Sequence, residues 1–330
     1  LLEKRANNEE YTADSLLNEE KQKEIKAQTV EEFYRNIIQS LRTLGKVGNA
    51  EAYLNSYNSL KGFNNGKLLT YTFSHINSLF LKKYEEWLRS KGNKETTLSF
   101  QFRTLRAVFN RAIEENVVSK EKNPFEQFKV SKFNTKTKKR ALTKEDMMKI
   151  ITTETIQATT LRTFTRDVFT FAYLCGGISF VDMANLTLDN IYKERIRYIR
   201  QKTHGEINLK LCDQAKEIIE KYISYREKAT YLFPILDARS HKTPMQKKNR
   251  VRKVLARINK ELKVLASELE IKTDVTTYIG RHSFASILKN TGVNIALISQ
   301  ALGHQDIKTT EIYLSKFDDK QMDEAMSNLL

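Results

Sequence analysis

The chain has 330 residues, of which 40% are hydrophobic and 29% charged, a balance typical of a folded globular protein rather than a disordered or fibrous one. Lys and Arg number 56 against 40 Asp and Glu, a net charge of +16 that both halves of the chain share. The sequence has no uninterrupted apolar run of about eighteen residues, which excludes a membrane span, and Cys175 and Cys212 lack the spacing of a zinc site or a disulfide framework.

This excess of positive charge favours a polyanionic partner, because basic surface releases counterions from a phosphate backbone. The low cysteine content fits a reducing cytoplasm, and no signal-peptide pattern is present. Since the first residue is Leu1 and not methionine, we expect a further segment before it.

The N-terminal part of the chain predicts a helical domain over residues 28–128, preceded by a polar linker or extension over 1–27. A helix is predicted after Thr29, because Glu32 completes a capping box, and Gly45 ends it. Apolar residues at helical spacing predict three more helices, over 48–61, 74–91 and 95–116. We expect the aromatic side chains of this domain to pack in its core. The third helix of the four carries these side chains on one stripe: Ile76, Leu79, Phe80, Tyr84, Trp87 and Leu88.

Residues 129–140 are rich in Lys, Thr and Ser, and this composition predicts a basic linker between two domains. Five of its basic residues are candidate contacts with a nucleic-acid backbone: Lys132, Lys136, Lys138, Lys139 and Arg140.

A second, mixed α+β domain is predicted over 141–330. Thr143 and Asp146 form a helix-start signature, and period-two runs around the turn Lys202-Thr203-His204-Gly205 predict a β-hairpin. The remaining segments predict helices, over 160–176, 180–186, 212–228, 246–268, 281–291, 294–302 and 307–314, followed by a short C-terminal tail helix. The predicted fold class is therefore mainly α with a small β-sheet.

The C-terminal part of this domain holds residue types that suit strand cleavage in DNA. Cleavage that conserves the bond energy needs a side-chain nucleophile, cations on the non-bridging phosphate oxygens, and an acid for the departing hydroxyl. Three short motifs supply candidates: Tyr278-Ile-Gly-Arg281-His282-Ser283-Phe284-Ala285, Leu302-Gly303-His304 and Thr309-Thr310-Glu311-Ile312-Tyr313.

Together these motifs resemble the box II region of the tyrosine recombinase (phage-integrase) family, including the nine-residue step from His304 to Tyr313. The resemblance covers about 140–330, and the first domain is similar to the family's SAM-like core-binding domain. It implies two domains that close on DNA as a C-shaped clamp. The Tyr-x-x-Arg-His variant, with Phe180-Val181-Asp182, is most similar to integrases of mobile elements from Bacteroidetes.

The resemblance also implies roles for individual residues. Tyr313 would attack the phosphodiester and form a 3′-phosphotyrosyl bond, Arg281 would bind two phosphate oxygens, and His304 would donate a hydrogen bond to the scissile phosphate. Lys202, in the hairpin turn, would be the acid for the leaving 5′ oxygen. Asp182 would support the site.

Two positions depart from the family pattern. Ser179 stands where the first arginine of the family is expected, and Arg166, one helix earlier, is our candidate to replace it, ahead of the weaker Arg162. Tyr278 stands where the family usually has a histidine; a phenol donates a hydrogen bond but is a poor base at neutral pH. The group that takes the proton from Tyr313 is therefore left open. His282 follows the family pattern, and we expect it to pack or orient rather than react.

The implied function is that of a site-specific recombinase that integrates or excises a mobile element without a metal or nucleotide cofactor. The expected partners are double-stranded DNA and three further copies of the chain, in a homotetramer on two DNA sites, with a directionality factor or a host DNA-bending protein as additional candidates. The tail helix would either dock on a neighbouring protomer or fold on its own core. We expect the protein in the bacterial cytoplasm, at the nucleoid.

Two alternatives remain at this point. A type IB topoisomerase shares the nucleophile but relaxes DNA as a monomer, and the departures at Ser179 and Tyr278 would also suit a DNA-binding protein that has lost catalysis.

Overall fold

The chain divides into two compact units, Leu1–Thr137 and Lys138–Leu330, each with a hydrophobic core of its own. The structure, a computed structural model, describes these residues: 28–135, 141–153, 160–224, 230–314 and Ser327, with Thr160, Ile312 and Tyr313 by their backbone alone. The predicted extension 1–27, residues 136–140 of the predicted linker and the predicted tail helix lie outside the described residues, apart from Ser327.

Four α-helices build the first unit: α1 (Val30–Thr43), α2 (Val47–Phe63), α3 (Ser78–Ser90) and α4 (Glu95–Glu114). The capping box before α1 is confirmed, because Thr29 Oγ1 accepts from the N–H of Glu32 and the Glu32 carboxylate accepts from the N–H of Thr29. Gly45, just after α1, has a φ of 69°, a left-handed conformation that favours glycine and ends the helix as predicted.

The core of the first unit is rich in aromatic side chains and, among the described residues, contains one buried carboxylate. Glu31 accepts hydrogen bonds from Arg35, from the hydroxyl of Tyr57 and from the N–H of Leu69, and thereby joins α1 to α2 and to the following loop. The prediction for Leu79 is wrong, since 59% of its surface is exposed. The buried positions of α3 are Leu81, Tyr84 and Leu88, and Leu79 faces away from this stripe.

The first unit extends further along the chain than the composition indicated. Val130 and Phe133 are 5% and 4% exposed and belong to the core of this unit, so residues 129–133 are not linker. Burial of two apolar side chains outweighs the polar residues around them. Lys132 pairs with Glu85 and lies 3.9 Å from the ring centroid of Phe128. Of the five basic residues predicted to contact nucleic acid, Lys132 alone lies within the described part of the chain.

The second unit combines helices with a small sheet. Its helices are α5 (Lys144–Thr152), α6 (Thr160–Leu174), α7 (Phe180–Ala184), α8 (Asp213–Ser224), α9 (Pro244–Glu268), α10 (Thr277–Asn290), α11 (Ile295–Leu302) and α12 (Ile307–Tyr313). Its strands are β1 (Ile191–Tyr192), β2 (Arg195–Ile199) and β3 (Glu206–Lys210). They form an antiparallel sheet in the order β1-β2-β3, with Ile196 opposite Leu209 and Tyr198 opposite Ile207. The predicted hairpin is confirmed as β2 and β3.

The large core of the second unit lies under α6, which packs against α10. A smaller cluster of Ala285, Ile298, Leu302 and Leu314 holds α10, α11 and the end of α12 together. Helix α10 begins at Thr277, four residues before the predicted start at 281, and Tyr278 and Arg281 therefore share its first turn.

The predicted fold class is confirmed: the described residues are mainly helical, with a small sheet in the second unit. Within them, no helix combines the length and the apolar character that a membrane crossing would require.

Candidate active site

The first turn of α10 carries Arg281 into the interior of the second unit, where 3% of its surface is exposed. Its guanidinium donates a hydrogen bond of 2.8 Å to the carbonyl of Gly177 and another to the carbonyl of Leu302. Burial, and then the positive charge of Arg200, lower the pKa of Arg281 to about 10, while the carboxylate of Asp182 opposes this with a smaller effect. The guanidinium is still charged at neutral pH, but its charge is poorly compensated.

The break between α6 and α7 allows the close approach of Arg281. Gly177 has a φ of 66°, and a Cβ atom at this position would lie 2.7 Å from Cα of Arg281 and 2.8 Å from its Cγ. Only glycine fits that contact without displacing the arginine. Gly177, in the short segment that follows α6, thus forms one wall of the site.

His304 lies against Arg281 at the end of α11, after Gly303 with its left-handed backbone. Its Nε2 is 3.0 Å from a guanidinium nitrogen of Arg281, and its Nδ1 is 2.8 Å from Oγ1 of Thr310. Because a guanidinium can only donate, Nε2 accepts and Nδ1–H donates to the threonine hydroxyl. Burial, followed by the charges of Arg281 and Arg200, lowers the pKa of His304 to about 4, so that the imidazole is neutral at pH 7.

Tyr313 is the last residue of α12, and its side chain lies outside the described residues. Thr310, one turn earlier, is fully buried and bonded to His304. The hydrogen bond joins the helix of the predicted nucleophile to the imidazole.

Lys202 is exposed in the turn between β2 and β3. This turn contacts the neighbours of His304: the hydroxyl of Thr203 donates to the carbonyl of Gly303 at 3.4 Å, and the side-chain amide of Gln305 donates to the carbonyl of Thr203 at 2.8 Å. The tertiary structure therefore brings the hairpin turn beside the end of α11, although about a hundred residues separate them along the chain.

Asp182 and Ser179 stabilise the start of this turn through hydrogen bonds. Ser179 caps α7 through the N–H of Asp182 and donates its own hydroxyl proton to Asp182 Oδ2 at 2.7 Å. The other carboxylate oxygen, Oδ1, accepts from the N–H of Gln201 at 2.8 Å. Asp182 thus holds the backbone next to Lys202, and Ser179 orients the carboxylate.

The expectation that Arg166 replaces the first arginine of the family is not supported by its position. Its guanidinium donates to the carbonyl of Thr153 at 2.8 Å and lies 3.3 Å from the carboxylate of Asp167, away from Arg281. Asp167 is buried and draws this arginine toward the α8 side of α6. The weaker candidate, Arg162, is bound to two glutamates of α9.

Arg200, which the sequence analysis did not select, lies in the site. It is 7% exposed, and its guanidinium donates to the carbonyls of Leu302 and Gly303 at 3.1 and 2.9 Å. Its Nε lies 4.0 Å from Oδ2 of Asp182, which is too long for a hydrogen bond, and this buried Nε–H has no hydrogen-bond partner among the described residues.

A signal for Arg200 is present in the sequence. Along β2 the side chains alternate, with Ile196 and Tyr198 buried and Arg197 and Ile199 on the open face. Continuing the alternation places Arg200 on the buried face, where an arginine is rare unless it is paired or functional.

Tyr278 lies beside Arg281 and is 49% exposed. Its ring meets that of His282 edge to face, with 4.9 Å between the centroids. Partial burial raises the pKa of Tyr278, partly offset by the charges of Arg281 and Arg200, so the phenol remains protonated at neutral pH and available as a donor.

The site thus combines two buried guanidinium groups, a neutral imidazole, a phenol donor and a lysine on a tethered turn. Donors and cations in this number suit the binding of an oxyanion and the stabilisation of charge that develops on it.

Comparisons with known proteins identify the family of the chain. The model of the phage integrase family matches residues 140–320, and that of the phage integrase SAM-like domain matches residues 29–131. A tyrosine recombinase of Thermosipho africanus is 27% identical over 81% of this chain and 92% of its own length. Tyrosine recombinase XerD of Brucella suis is 30% identical over a shorter stretch, 36% of this chain and 37% of its own.

Solved structures share the fold at 17% identity. The integrase of transposon Tn1549, in complex with transposon right end DNA, superposes with a TM-score of 0.64 over 92% of this chain and 99% of that one. A lambda integrase dimer bound to a core site gives a TM-score of 0.62 over 88% of this chain and 80% of that one.

Proposed function

Because the chain belongs to the phage integrase family and is a site-specific tyrosine recombinase, we propose that the cluster around Arg281 and His304 holds the scissile phosphate of duplex DNA while Tyr313 attacks it. The Tyr313 oxygen would form a bond to phosphorus as the bond to the 5′ oxygen breaks, leaving the DNA joined through a 3′-phosphotyrosyl link. Attack by the 5′ hydroxyl of another strand would reverse the step and release the tyrosine.

The observation that carries this proposal is the position of Arg281. A guanidinium that is buried, poorly compensated and in contact with a neutral imidazole favours an incoming anion, because a phosphate would supply the missing negative charge. Tyr278 and His304 would donate hydrogen bonds to the phosphate oxygens, which only accept; for His304 this requires the tautomer with its proton on Nε2, with Nδ1 accepting from the Thr310 hydroxyl. Their altered pKa values keep the imidazole neutral and the phenol protonated at neutral pH.

Lys202 would donate the proton that the leaving 5′ oxygen takes up. Its turn is held by Asp182 on one side and by contacts with Gly303 and Gln305 on the other. Within the described residues Lys202 makes no ion pair that would compete with a DNA partner. Asp182, Ser179 and His282 would position the site without touching the reacting atoms.

We further propose that the protein integrates or excises a mobile element of the Bacteroidetes type, with four copies acting on two DNA sites. The motif Tyr278-x-x-Arg281-His282 supports the first part, and a lambda integrase tetramer bound to a Holliday junction, with a TM-score of 0.57, shows that a related fold assembles in this way. Recombination would take place in the bacterial cytoplasm at the nucleoid, with a directionality factor or a DNA-bending host protein as an additional partner. The basic residues Lys136, Lys138, Lys139 and Arg140 would contact the DNA backbone.

Covalent trapping tests the proposal. The full chain is incubated with a pool of duplexes that have randomised arms. Each duplex carries one nick, and the position of the nick varies across the pool, so that cleavage next to it releases a short fragment and cannot be reversed. We expect an adduct that survives denaturant, disappears with protease, and enriches one family of sequences. Tyr313→Phe should bind the enriched duplex and form no adduct.

Two other results would contradict the proposal. A wild-type protein that binds duplexes and never forms an adduct would be a DNA-binding protein without catalysis. Adducts with no sequence preference, together with relaxation of any supercoiled plasmid, would indicate a topoisomerase, which the family relatives do not favour.

A further inference from the structure

Arg200, at the end of β2, lies in the candidate site without a role that the family pattern would assign to it. We propose that Arg200 is the second guanidinium that binds the scissile phosphate, taking the part expected of an arginine at position 179. The inference rests on the proposed function, because it assigns a further residue to the same phosphate.

The first argument is convergence. Arg200 and Arg281 come from different elements, β2 and α10, and both donate to the carbonyl oxygen of Leu302. The two guanidinium groups therefore lie within two hydrogen-bond lengths of each other, and each appears among the charges that lower the pKa of His304. Two cations held this close repel each other unless an anion lies between or beside them.

The second argument is the balance of charge. Both arginines are nine-tenths or more buried, and within the described part of the chain Asp182 is the carboxylate that acts on Arg281 and lies nearest to Arg200. Asp182 already accepts from Ser179 and from the N–H of Gln201, and it stands 4.0 Å from Arg200 Nε. The carbonyls at the end of α11 contribute partial negative charge only. A phosphate diester would supply the full negative charge that the pair lacks.

The third argument is an unused donor. The Nε–H of Arg200 is buried and has no hydrogen-bond partner among the described residues. A buried donor in that state destabilises the free protein, and this cost is recovered when an acceptor arrives. A phosphate oxygen is such an acceptor, and guanidinium groups bind phosphate through two donors at once.

The surroundings of Ser179 explain why a guanidinium from the end of β2 can take the place of one at position 179. Ser179 and Arg200 approach the same oxygen of Asp182. The Ser179 hydroxyl donates to Oδ2 at 2.7 Å, and Nε of Arg200 lies 4.0 Å from it. The end of a side chain that starts at 179 and the end of one that starts at 200 therefore reach the same region. An arginine at 200 makes one at 179 unnecessary, and the serine is free to orient the carboxylate.

A structural role for Arg200 is the competing explanation, because its bonds to Leu302 and Gly303 also join the hairpin to α11. Gly303 is packed against it, since a Cβ there would lie 2.7 Å from Arg200 Cδ. The two explanations differ in one respect: an arginine that binds phosphate is needed because the phosphate is charged, and an arginine that holds the fold is needed for any substrate.

A substrate with a methylphosphonate at the cleavage position separates them, because replacing one non-bridging oxygen by methyl removes the negative charge. With the ordinary phosphodiester we expect Arg200→Ala to lower the single-turnover rate of adduct formation by roughly 100- to 1000-fold, as removal of a transition-state donor does. With the methylphosphonate we expect the difference between wild type and Arg200→Ala to shrink to less than about tenfold.

Three further variants serve as a control, a replacement and a rescue for Arg200→Ala. Arg197→Ala removes an exposed arginine from the same strand, one that stacks over Tyr192, and should cleave both substrates like the wild type. Arg200→Gln keeps an amide donor toward the Gly303 carbonyl and removes the charge, so it replaces Arg200→Ala if the alanine variant does not fold. Ser179→Arg combined with Arg200→Ala should recover part of the phosphodiester activity.

Two results would overturn the assignment of Arg200. One is a phosphodiester rate for Arg200→Ala equal to that of the wild type. The other is an equal loss on both substrates by a folded, DNA-binding Arg200 variant, which is the signature of a structural role. A wild-type chain that forms no adduct on the phosphodiester is a different outcome, because it contradicts the proposed function itself.

Discussion

At the scale of single residues, the site contains two buried arginines, Arg200 and Arg281, and one buried carboxylate, Asp182, among the described residues. The positive charge of the site is therefore only partly neutralised. His304 is held between Arg281 and Thr310, and the arginine occupies the nitrogen that a proton would otherwise take. The family pattern alone assigns His304 to the phosphate, whereas the contacts explain why it is neutral. Its protonation should therefore report on what lies beside the two arginines.

We expect the pKa of His304 in the free protein to lie near 4, well below the ordinary 6.5, and to rise when DNA binds, because a phosphate anion stabilises the imidazolium. Histidine proton chemical shifts followed against pH measure both values, and His304→Asn assigns the signal. A midpoint near 6.5 in the free protein would contradict the contact with Arg281.

The same depressed pKa makes stability depend on pH. Between about pH 4 and pH 6.5 the unfolded chain binds a proton at His304 that the folded chain does not, so the free energy of unfolding falls as the pH is lowered through this window. This loss is absent above about pH 6.5, where the imidazole is neutral in both states, and complete below about pH 4. Urea unfolding of wild type and His304→Asn should diverge across the window, and parallel curves would count against the effect.

Gly177 sets the other limit on Arg281. Gly177→Ala places a methyl group 2.7 Å from the arginine backbone at a φ of 66°. We expect a loss of at least about 1–2 kcal/mol from the left-handed conformation alone, and a larger proportional loss of adduct formation than of DNA binding. Gly48→Ala, at a position in α2 with no atom within 4 Å of the added methyl, should instead leave stability unchanged or raise it by about 0.5–1 kcal/mol. Thermal melts and covalent trapping give the two readouts.

At the scale of elements, short segments from distant parts of the chain meet at the end of α11. Its last carbonyls bind arginines from β2 and α10, and its neighbours Gly303 and Gln305 contact the Lys202 turn. Helix α12 has seven residues, too few to be stable alone. Contacts with the rest of the site must therefore hold it, and the bond from Thr310 to His304 is one of them.

Thr310→Val tests this bond, because valine keeps the shape of threonine and removes the hydroxyl. We expect DNA binding to be retained and adduct formation to fall by roughly tenfold, about the effect of losing one net hydrogen bond of 0.5–1.5 kcal/mol. The matched control is Thr309→Val, since Thr309 is exposed on the same helix. Equal rates for the two variants would show that the Thr310 hydroxyl does not position α12.

At the scale of the whole molecule, the net charge of +16 is spread over both units. A protein that neutralises about six to ten phosphates loses roughly 10³- to 10⁵-fold in affinity between about 50 and 200 mM salt, because each released counterion gains less entropy when the bulk salt concentration is higher. We expect a loss of at least roughly 10³-fold for this chain on any duplex. Binding to a labelled duplex at several salt concentrations measures it, and a loss below about tenfold would contradict a broad backbone contact.

The sequence by itself determined the fold class, the capping of α1 and the hairpin, because each of these depends on local spacing. It also pointed to Arg281 and His304, which the structure brings into contact, and to Tyr313, whose role stays a prediction. It misplaced Leu79, Val130 and Phe133, where packing against other elements decides burial.

Only the tertiary structure showed that Arg166 is bonded to Thr153 and Asp167, and that Arg200 shares the Leu302 carbonyl with Arg281. Arg166 is drawn to a carboxylate buried between α6 and α8, and Arg200 reaches the site because β2 passes beside the end of α11. Neither position follows from spacing, since both depend on which distant elements lie next to each other. For Arg200 the alternation of β2 predicts an arginine on a buried face. Its place in the site follows only from its contact with the end of α11, where Arg281 also binds.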